Sequence, residues 1–360
     1  MKTNKTPIVD HSILLPYLQM YGSNSMSYSS LQKELRHFVL DGIGYISYLP
    51  FKHLFWSLRG QRIVIGDPIC DPEHYTKILS AFFEETQRAT FVHIGVKCGD
   101  ALTELGIQVN GFGIETKLPC NNFDLSGKAR AKLRQWRNKC QREDVTVVER
   151  NIDSLESTEP VKALSQAWLN TKGTREYGIL SRPFSYQQEH DVRNFWAYQN
   201  DRIIAMAVFD PIYKNNQVIA YYHNVDRILP DAPNGTGAFI ILEAIKQFRQ
   251  EGKAYVSLGL SPLFMIQSRP GHNKNQQTQK ALKYAFKNLN SIYPFQGNAN
   301  HKQKFAGNQR QVYIAATQGN SLWQVLVLLR ALGSLKVSLD TLKIFTHIAR
   351  KKASISKGEK

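Results

Sequence analysis

Two stretches of the sequence combine residue types whose spacing could bind an anion or stabilise a developing negative charge. In the first, an apolar and aromatic run from Gln217 to Val225 precedes the turn sequence Asn234, Gly235, Thr236 and Gly237, after which apolar residues recur at helical spacing. A glycine-containing turn that opens a helix leaves backbone N–H groups free to receive a phosphate, a carboxylate or an oxyanion. An ordinary loop leading into a helix is the alternative.

The second stretch runs from Ser126 to Arg142 and contains no acidic residue. As a helix it would place Leu133 and Trp136 on one face, and cations would cover the remainder. Like charges at this density repel one another unless an anionic partner neutralises them, so the segment predicts phosphate binding. A solvated helix face is the alternative. The cations are Lys128, Arg130, Lys132, Arg134, Arg137, Lys139 and Arg142.

Both stretches fall within an alternation of strands and helices that predicts an α/β (α+β) fold. The second half of the sequence predicts a helix, three strands joined by short turns, a loop, the helix after Gly235 and a last strand. The first half shows a looser version of this pattern, so we expect two related units in tandem: residues 1–30 as an extension, 31–157 and 158–318 as the two units, and 319–360 as a basic tail. The individual segments predicted are helices at Leu31–Val39, His74–Arg88, Val161–Leu169 and Ala281–Leu289, and strands at Gly44–Leu49, Gln61–Ile65, Thr90–Val96, Leu105–Glu115, Val145–Glu149, Arg193–Tyr198, Arg202–Asp210, Gln217–Val225 and Lys253–Leu260.

The composition is that of a folded protein with an anionic partner. The 360 residues have a net charge of +17 and are 42% hydrophobic, which favours nucleic acid or an anionic membrane surface as partner. The four cysteines form no CxxC pair, and we expect reduced thiols and no metal site. We find no signal peptide and no run of about eighteen apolar residues, so the sequence predicts a cytoplasmic protein, soluble or peripheral on a membrane.

Two further segments leave alternatives open. Ser321 to Lys352 has apolar residues at spacings of three and four among cations, so it predicts a basic amphipathic helix that lies on an anionic bilayer or docks on the protein's own core. In the helix Ala281–Leu289, Tyr284 and Phe286 alternate with lysines. That pattern suits a single-stranded nucleic-acid end, although aromatic residues at helical spacing are also common in cores.

Several motifs in sequence order resemble the C-terminal catalytic domain of the bacterial phosphatidylglycerol lysyltransferases, the aminoacyl-phosphatidylglycerol synthase or multiple peptide resistance factor family. The resemblance covers about Tyr21 to Ala316. It is carried by VIGDPI from Val64, SGKARAKLRQWRNKCQRE from Ser126, AWLNTKGTREYGIL, DAPNGT from Asp231, SLGLSPL from Ser257 and FQGNANHKQKFAGNQRQVYIA from Phe295.

The resemblance implies a tandem pair of acyltransferase-like (GNAT) folds that transfer an aminoacyl group from aminoacyl-tRNA to a membrane phospholipid, without a cofactor. It also implies attachment at the inner face of the cell membrane. Family members usually carry an N-terminal transmembrane flippase, and the sequence lacks one, so we expect a stand-alone synthase domain. The sequence leaves the oligomeric state open.

The resemblance also assigns site residues. Asn224, Val225, Asp226 and Arg227 correspond to the family's D-L-M-R element, in which the aspartate is expected to meet a cationic amino group. Asn224 replaces that aspartate, which weakens the expectation that lysine is transferred, and Asp226 is expected on the same strand face as Asn224. The remaining correspondences are Lys302 and Lys304 in the family's FKEKF, Tyr313 as its closing tyrosine, and Ser261 in SLGLSPL.

An aminoacyl ester is already activated, so its transfer needs positioning and oxyanion stabilisation. We expect Lys302, Lys304 or Arg227 to hold phosphates or the oxyanion, and Asp226 or His223 to accept the proton of the attacking group. His223 could equally be a structural histidine. The rival functions are an acyl-thioester-dependent N-acyltransferase, whose carrier would bind at the turn before the helix, and a non-catalytic RNA- or membrane-binding protein.

Overall fold

The computed structural model describes residues 10–51, 61–172, 182–288, 290 and 294–317. In chain order the strands are β1 Arg36–Leu40, β2 Gly44–Phe51, β3 Gln61–Ile65, β4 Ile69–Cys70, β5 Ala89–Ile94, β6 Gln108–Pro119, β7 Thr146–Glu149, β8 Arg193–Gln199, β9 Arg202–Lys214, β10 Gln217–Ile228, β11 Tyr255–Pro262 and β12 Asn308–Ala316. The helices are α1 His11–Tyr21, α2 Tyr75–Glu85, α3 Val96–Glu104, α4 Ala131–Arg142, α5 Glu159–Lys172, α6 Thr236–Gln250, α7 Gln276–Asn288 and α8 Phe295–Gln303.

All twelve strands belong to one mixed sheet. Its order is β1-β2-β3-β5-β12-β6-β11-β10-β9-β8-β7, and β4 pairs with β2 off this path. Two neighbouring pairs are parallel, β3 with β5 and β10 with β11, and the other pairings are antiparallel. Each parallel pair is connected by a helix, α2 in the first half and α6 in the second, as a crossover between parallel strands requires.

The sheet repeats one pattern in its two halves, which confirms the predicted tandem acyltransferase-like α/β class. In each half an antiparallel ribbon leads into a strand, a crossover helix and a parallel strand. The two halves join where β6 pairs with β11 over Tyr255↔Pro119 to Pro262↔Gly113. The C-terminal strand β12 returns to the first half and pairs with both β5 and β6. The division of the chain into units at residues 157 and 158 stays a prediction.

The helix α6 shows how the sequence determines the second half. Its apolar residues at helical spacing, among them Ile240, Ala244 and Phe248, are buried against the sheet. Gly252, which follows the helix, has φ of +70° and donates its N–H to the carbonyl of Arg249. Gly252 is therefore a left-handed residue at the C-terminal end of the helix, a conformation that glycine adopts without strain.

Several predicted segments differ in the structure. The stretch Leu31–Val39, predicted as a helix, contains most of strand β1, because Phe38 and its β-branched neighbour Val39 pair with β2. The N-terminal residues, predicted only as an extension, contain α1, which the Asp10 side chain caps. Helix α3 and the short helix α8 were not predicted. The amphipathic helix predicted for Ser321–Lys352 lies outside the described residues. Within the described part, the structure contains no helix with the length and apolar character needed to cross a membrane.

Candidate active site

The strands β10 and β11 part from each other beyond a short parallel contact. They pair only at Tyr221↔Val256 and Tyr222↔Ser257. From there β10 continues along β9 to Ile228, and β11 continues along β6 to Pro262. The two diverging strand edges border an opening in the sheet, and every residue from His223 to Arg227 lies beyond the last parallel pair.

A β-bulge at Asn224 sets the direction of the side chains that follow. The register of β10 against β9 shifts between His223 and Val225, so Asn224 has no opposite residue. Its side chain exchanges two hydrogen bonds with the backbone of Arg182: the Arg182 N–H donates to Oδ1 at 3.1 Å, and Nδ2 donates to the Arg182 carbonyl at 3.3 Å. Asn224 therefore fixes the segment that begins at Arg182.

The bulge also corrects the expectation that Asp226 shares a strand face with Asn224. His223 lies opposite Phe209, and Asp226 lies opposite Ala207. Because Phe209 and Ala207 are two residues apart on one strand, their cross-strand partners share one face of the sheet. His223 and Asp226 are therefore neighbours on that face, since the extra residue interrupts the simple alternation.

Lys302, near the end of α8, places its ammonium group at the opening. Nζ donates to the carbonyl of Leu260 at 2.6 Å, and Leu260 lies on β11 beyond its last contact with β10. Burial lowers the pKa of Lys302 to about 7, although the carboxylates of Glu115 and Asp226 act in the opposite direction. A lysine with this pKa can donate or accept a proton at neutral pH.

His223 is neutral at physiological pH. Burial lowers its pKa to about 4, Asp226 opposes this shift, and the neighbouring Lys302 and His301 add to it. Its Nε2 is buried and has no hydrogen-bond partner among the described residues. Because buried polar atoms nearly always have a hydrogen-bond partner, this nitrogen of His223 is unusual. A neutral imidazole beside a carboxylate and an amine is a set of groups suited to proton transfer.

Arg227 lies on the opposite face of β10 from Asp226. It pairs with Met206 in the register, one residue from the partner of Asp226, and its guanidinium carbon is 4.1 Å from the ring centroid of Trp168 on α5. Nη1 donates to the Asp226 carbonyl at 3.0 Å. Burial lowers the pKa of Arg227 to about 10, so it stays charged at neutral pH. The two predicted cations, Arg227 and Lys302, therefore approach the opening from different sides.

The turn before α6 is covered by a side chain from the basic helix. Gly235 has φ of +105°, and a Cβ built on it would lie 2.4 Å from Cβ and Cγ of Trp136. Gly235 is the N-cap of α6, and the Thr236 hydroxyl donates to the Pro233 carbonyl at 2.7 Å.

Close packing extends to the next glycine of the turn. A Cβ on Gly237 would lie 2.8 Å from the Ile228 side chain. This glycine therefore allows the start of α6 to approach the end of β10.

The helix α4 is joined to α8 and its cations are partly structural. Arg130 donates to the carbonyls of Phe305 and Ala306 at 3.0 and 3.2 Å, and Arg134 donates to backbone carbonyls before the helix. Of the other predicted phosphate ligands, Lys128 is exposed and Arg137 bonds the side chain of Asn138. These interactions reduce the number of cations available to a phosphate.

The side chain of Trp136 connects α4 to the cationic end of α8. It stacks on His301 at 5.9 Å between ring centroids, and Lys304 Nζ lies 5.7 Å from its ring. The Lys304 ammonium also donates to the carbonyl of Asn300 at 3.1 Å. Lys304 therefore lies beside the covered turn, whereas Lys302 on the same helix reaches the opening.

Two predicted residues are not grouped with the rest. Ser261 is buried on β11, and its hydroxyl lies 3.4 Å from Oδ1 of Asn298 on α8. Tyr313 is in the core of the first half, where its ring meets His272 edge-on at 4.7 Å. We assign Tyr313 a packing role.

Two titratable residues near Lys302, Glu115 and His93, were not predicted from the sequence. Glu115 is buried on β6 opposite Leu260 and accepts a hydrogen bond from the Ser257 hydroxyl at 2.7 Å. His93 is buried at the end of β5 with φ of +59°, and burial lowers its pKa to about 4 while Glu115 opposes this. The available signal was an ionisable residue directly after a short apolar run, residues 91–92 before His93 and residues 112–114 before Glu115.

The fold and the opening define a class, that of tandem GNAT-like acyltransferase folds with ionisable groups at the parted strands of the second half. The chain belongs to the family described as phosphatidylglycerol lysyltransferase, C-terminal, whose model matches residues 16–316.

Relatives and a solved structure agree with this assignment. Proteins named phosphatidylglycerol lysyltransferase are 24% identical over 87% of this chain in Bacillus subtilis and 23% identical over 86% in Staphylococcus aureus. The chain spans about a third of the length of these relatives, 36% in each. The solved structure of L-PGS from Bacillus licheniformis has a TM-score of 0.74 and 20% identity over 94% of this chain and 100% of that chain. That structural likeness shows the fold.

Proposed function

We propose that the protein transfers an amino acid from aminoacyl-tRNA to a phospholipid such as phosphatidylglycerol, at the inner face of the cell membrane. The observation that supports it most strongly is the Lys302 ammonium in the opening between β10 and β11, beside Asp226 and His223. A partly buried amine with a perturbed pKa next to a carboxylate is typical of catalytic sites. The names of the relatives supply the phospholipid and the amino-acid substrate classes.

The reaction is an ester exchange that this arrangement can serve. A lipid hydroxyl attacks the carbonyl carbon of the aminoacyl ester, and the bond to the tRNA ribose oxygen breaks when the tetrahedral intermediate collapses. The hydroxyl proton passes to Asp226 or His223, and the departing ribose oxygen takes a proton from the Lys302 ammonium. Lys302 also stabilises the oxyanion in a partly dehydrated setting, where a charge is most effective.

Arg227, Lys304 and the exposed cations of α4 supply phosphate contacts in this proposal. Arg227 keeps its charge on the far side of β10, and Lys304 and Lys128 lie along the α4 and α8 region. Binding through phosphates should weaken steeply as salt rises.

The structure disfavours an acyl-thioester carrier as donor. Such a carrier would bring its pyrophosphate to the turn before α6, where Trp136 lies against Gly235. A purely binding role is disfavoured for another reason. Holding Lys302 with a pKa of about 7 destabilises the folded protein, and binding alone does not require a buried amine.

The test compares variants in a transfer assay with vesicles containing phosphatidylglycerol and a mixture of labelled aminoacyl-tRNAs. Lys302→Met should lower transfer by a factor of at least about a hundred, the usual effect of removing an acid, base or oxyanion donor. The matched control is Lys246→Met, which removes an exposed lysine paired with Glu243 on α6, and it should keep the parent rate. Transfer by Lys302→Met at the parent rate would refute the assignment.

A further inference from the structure

The loop after β11 holds a large apolar side chain in solvent. Leu263 and Met265 both have positive φ, +61° and +47°, a region that residues other than glycine, asparagine and aspartate rarely occupy. Leu263 and Ile266 are buried, and the Leu263 N–H donates to the Phe112 carbonyl at 2.8 Å. Met265, between them, is 48% exposed. Strained backbone of this kind is commonly found at sites that bind.

The helix α7 lies beside this loop and presents a second exposed ring. Leu282 and Ala285 are buried in the same apolar cluster as Leu263 and Ile266. The rings of Phe264 and Phe286 are 5.8 Å apart. On the outer side of α7, Tyr284 is 45% exposed. Met265 and Tyr284 therefore project from two elements that are packed against each other.

Around Tyr284 the charged residues on the exposed side of α7 are all lysines. Lys280, Lys283, Tyr284 and Lys287 are spaced i, i+3, i+4 and i+7, so they form one stripe along the helix. The sequence contains no acidic residue between Gly252 and Thr317, and none of the three lysines forms an ion pair with a described residue. We call Met265, Tyr284 and these three lysines the α7 face.

We propose that the α7 face docks on an anionic phospholipid bilayer, with Met265 and Tyr284 at the level of the headgroups and the three lysines against the lipid phosphates. Tyrosine is enriched at that depth, and lysines near an anionic surface gain electrostatic attraction. Methionine is a flexible apolar side chain that fills irregular surroundings. An exposed methionine held by strained backbone favours a lipid surface over RNA, which is bound chiefly through its phosphates and stacked bases.

The position of the α7 face relative to the opening agrees with this role. Leu260, whose carbonyl binds Lys302, and Met265 are separated by five residues along the same strand and loop. A lipid held at a docked α7 face would therefore lie near the proposed catalytic amine. In this respect the inference rests on the proposed function, but docking itself can be measured without any transfer.

A rival apolar surface exists near α1, and its charge is mixed. Ile13 is 51% exposed on α1, and the neighbouring cavity of about 740 Å³ is lined by Glu34 and Glu189 as well as by Lys33. Carboxylates at such a surface would be repelled by anionic lipid. This makes Ile13 a suitable control position.

The experiment measures cosedimentation of the full chain with vesicles of equal parts phosphatidylglycerol and phosphatidylcholine, and with pure phosphatidylcholine vesicles. Replacing Lys280, Lys283 and Lys287 by Gln should weaken binding to the anionic vesicles about a hundredfold, because each lysine near the surface contributes about fivefold. Met265→Asp should weaken binding as well, and aspartate tolerates the positive φ at that position. Ile13→Asp and Val148→Asp, at exposed positions elsewhere, should bind like the parent.

The outcomes separate docking from chemistry. Parent-like vesicle binding by the triple lysine variant would overturn the proposal. Loss of vesicle binding by Ile13→Asp with retention by Met265→Asp would also overturn it and would assign docking to α1. A triple variant that binds vesicles normally but loses tRNA binding would assign the α7 face to RNA. If docking is confirmed and the parent transfers no amino acid, the proposed function fails while this inference stands.

Discussion

Replacing Lys302 by methionine should stabilise the protein while it abolishes activity. The pKa of Lys302 falls from 10.5 in water to about 7 in the folded chain, so the folded state binds this proton less tightly than the unfolded state does. Each pH unit of such a difference corresponds to about 1.4 kcal/mol. The ammonium form therefore opposes folding by up to about 5 kcal/mol below pH 7, and this cost vanishes as the pH approaches 10.5.

The pH dependence isolates this effect from changes in packing. Between pH 7 and pH 10.5 the unfolded chain carries the extra proton, so the contribution of Lys302 to stability rises with pH. The free energy of unfolding gained by Lys302→Met should consequently be about 2 to 3 kcal/mol larger at pH 6 than at pH 9. Methionine has nearly the length of lysine and carries no charge, which limits the cavity left behind.

The assay is urea unfolding of the parent and of Lys302→Met at both pH values, followed by circular dichroism. Lys246→Met is the control, because the exposed amine of Lys246 has no buried surroundings, and its effect should be the same at both pH values. Two results would refute the placement of the Lys302 ammonium group in surroundings that lower its pKa. One is an equal change in the free energy of unfolding at pH 6 and pH 9 for Lys302→Met, and the other is a loss of stability that is larger at pH 6.

Two further substitutions test the framework around the site. Gly235→Ala should lower the free energy of unfolding by about 1 to 3 kcal/mol, because alanine is strained at φ of +105° and would clash with Trp136. The control is Gly42→Ala, which has φ of +71° and no atom within 4 Å of the added Cβ, so it measures the backbone strain alone. Equal changes in melting temperature for the two variants would exclude a clash between the Cβ added at position 235 and Trp136. Asp210→Asn should lower the free energy of unfolding, measured in urea, by about 3 to 5 kcal/mol. The substitution removes the fully buried Asp210 carboxylate that pairs with the buried guanidinium of Arg182. A cost below about 1 kcal/mol would show that Glu189 suffices as the partner of Arg182.

The sequence predicted the second half of the fold well, because each signal there is local. The meander of β8, β9 and β10 follows from apolar runs separated by turn residues such as Asn215 and Asn216, both of which adopt positive φ. Gly252 marks the end of α6 for the same kind of reason. The repetition of this pattern in the first half was enough to predict a tandem α/β fold.

The parts that were missed depend on contacts between distant segments. Strand β12 is polar over its first four residues, and its pairing with β5 and β6 makes it a central strand. Most of strand β1 lies in the stretch Leu31–Val39 that was predicted as a helix, and pairing with β2 overrides that local preference. Neither pairing is visible in local periodicity.

The candidate site was predicted by residue type and not by geometry. His223, Asp226, Arg227 and Lys302 were all expected, but the bulge at Asn224 decides which of them share a face. A bulge inserts one residue into the alternation of side chains along the strand, and no residue type in this segment predicts that insertion. Glu115 was missed because its relation to Lys302 arises from the register of β6 against β11.

The identity of the donor distinguishes aminoacyl-tRNA-dependent transfer from both rival functions. The purified chain would be incubated with phosphatidylglycerol vesicles and either labelled aminoacyl-tRNAs or labelled acyl-coenzyme A, each with and without ribonuclease. We expect label in the lipid fraction from aminoacyl-tRNA alone, and ribonuclease should abolish it. The labelled residue identifies the amino acid. Label from the acyl thioester alone, or label from neither donor, would contradict it.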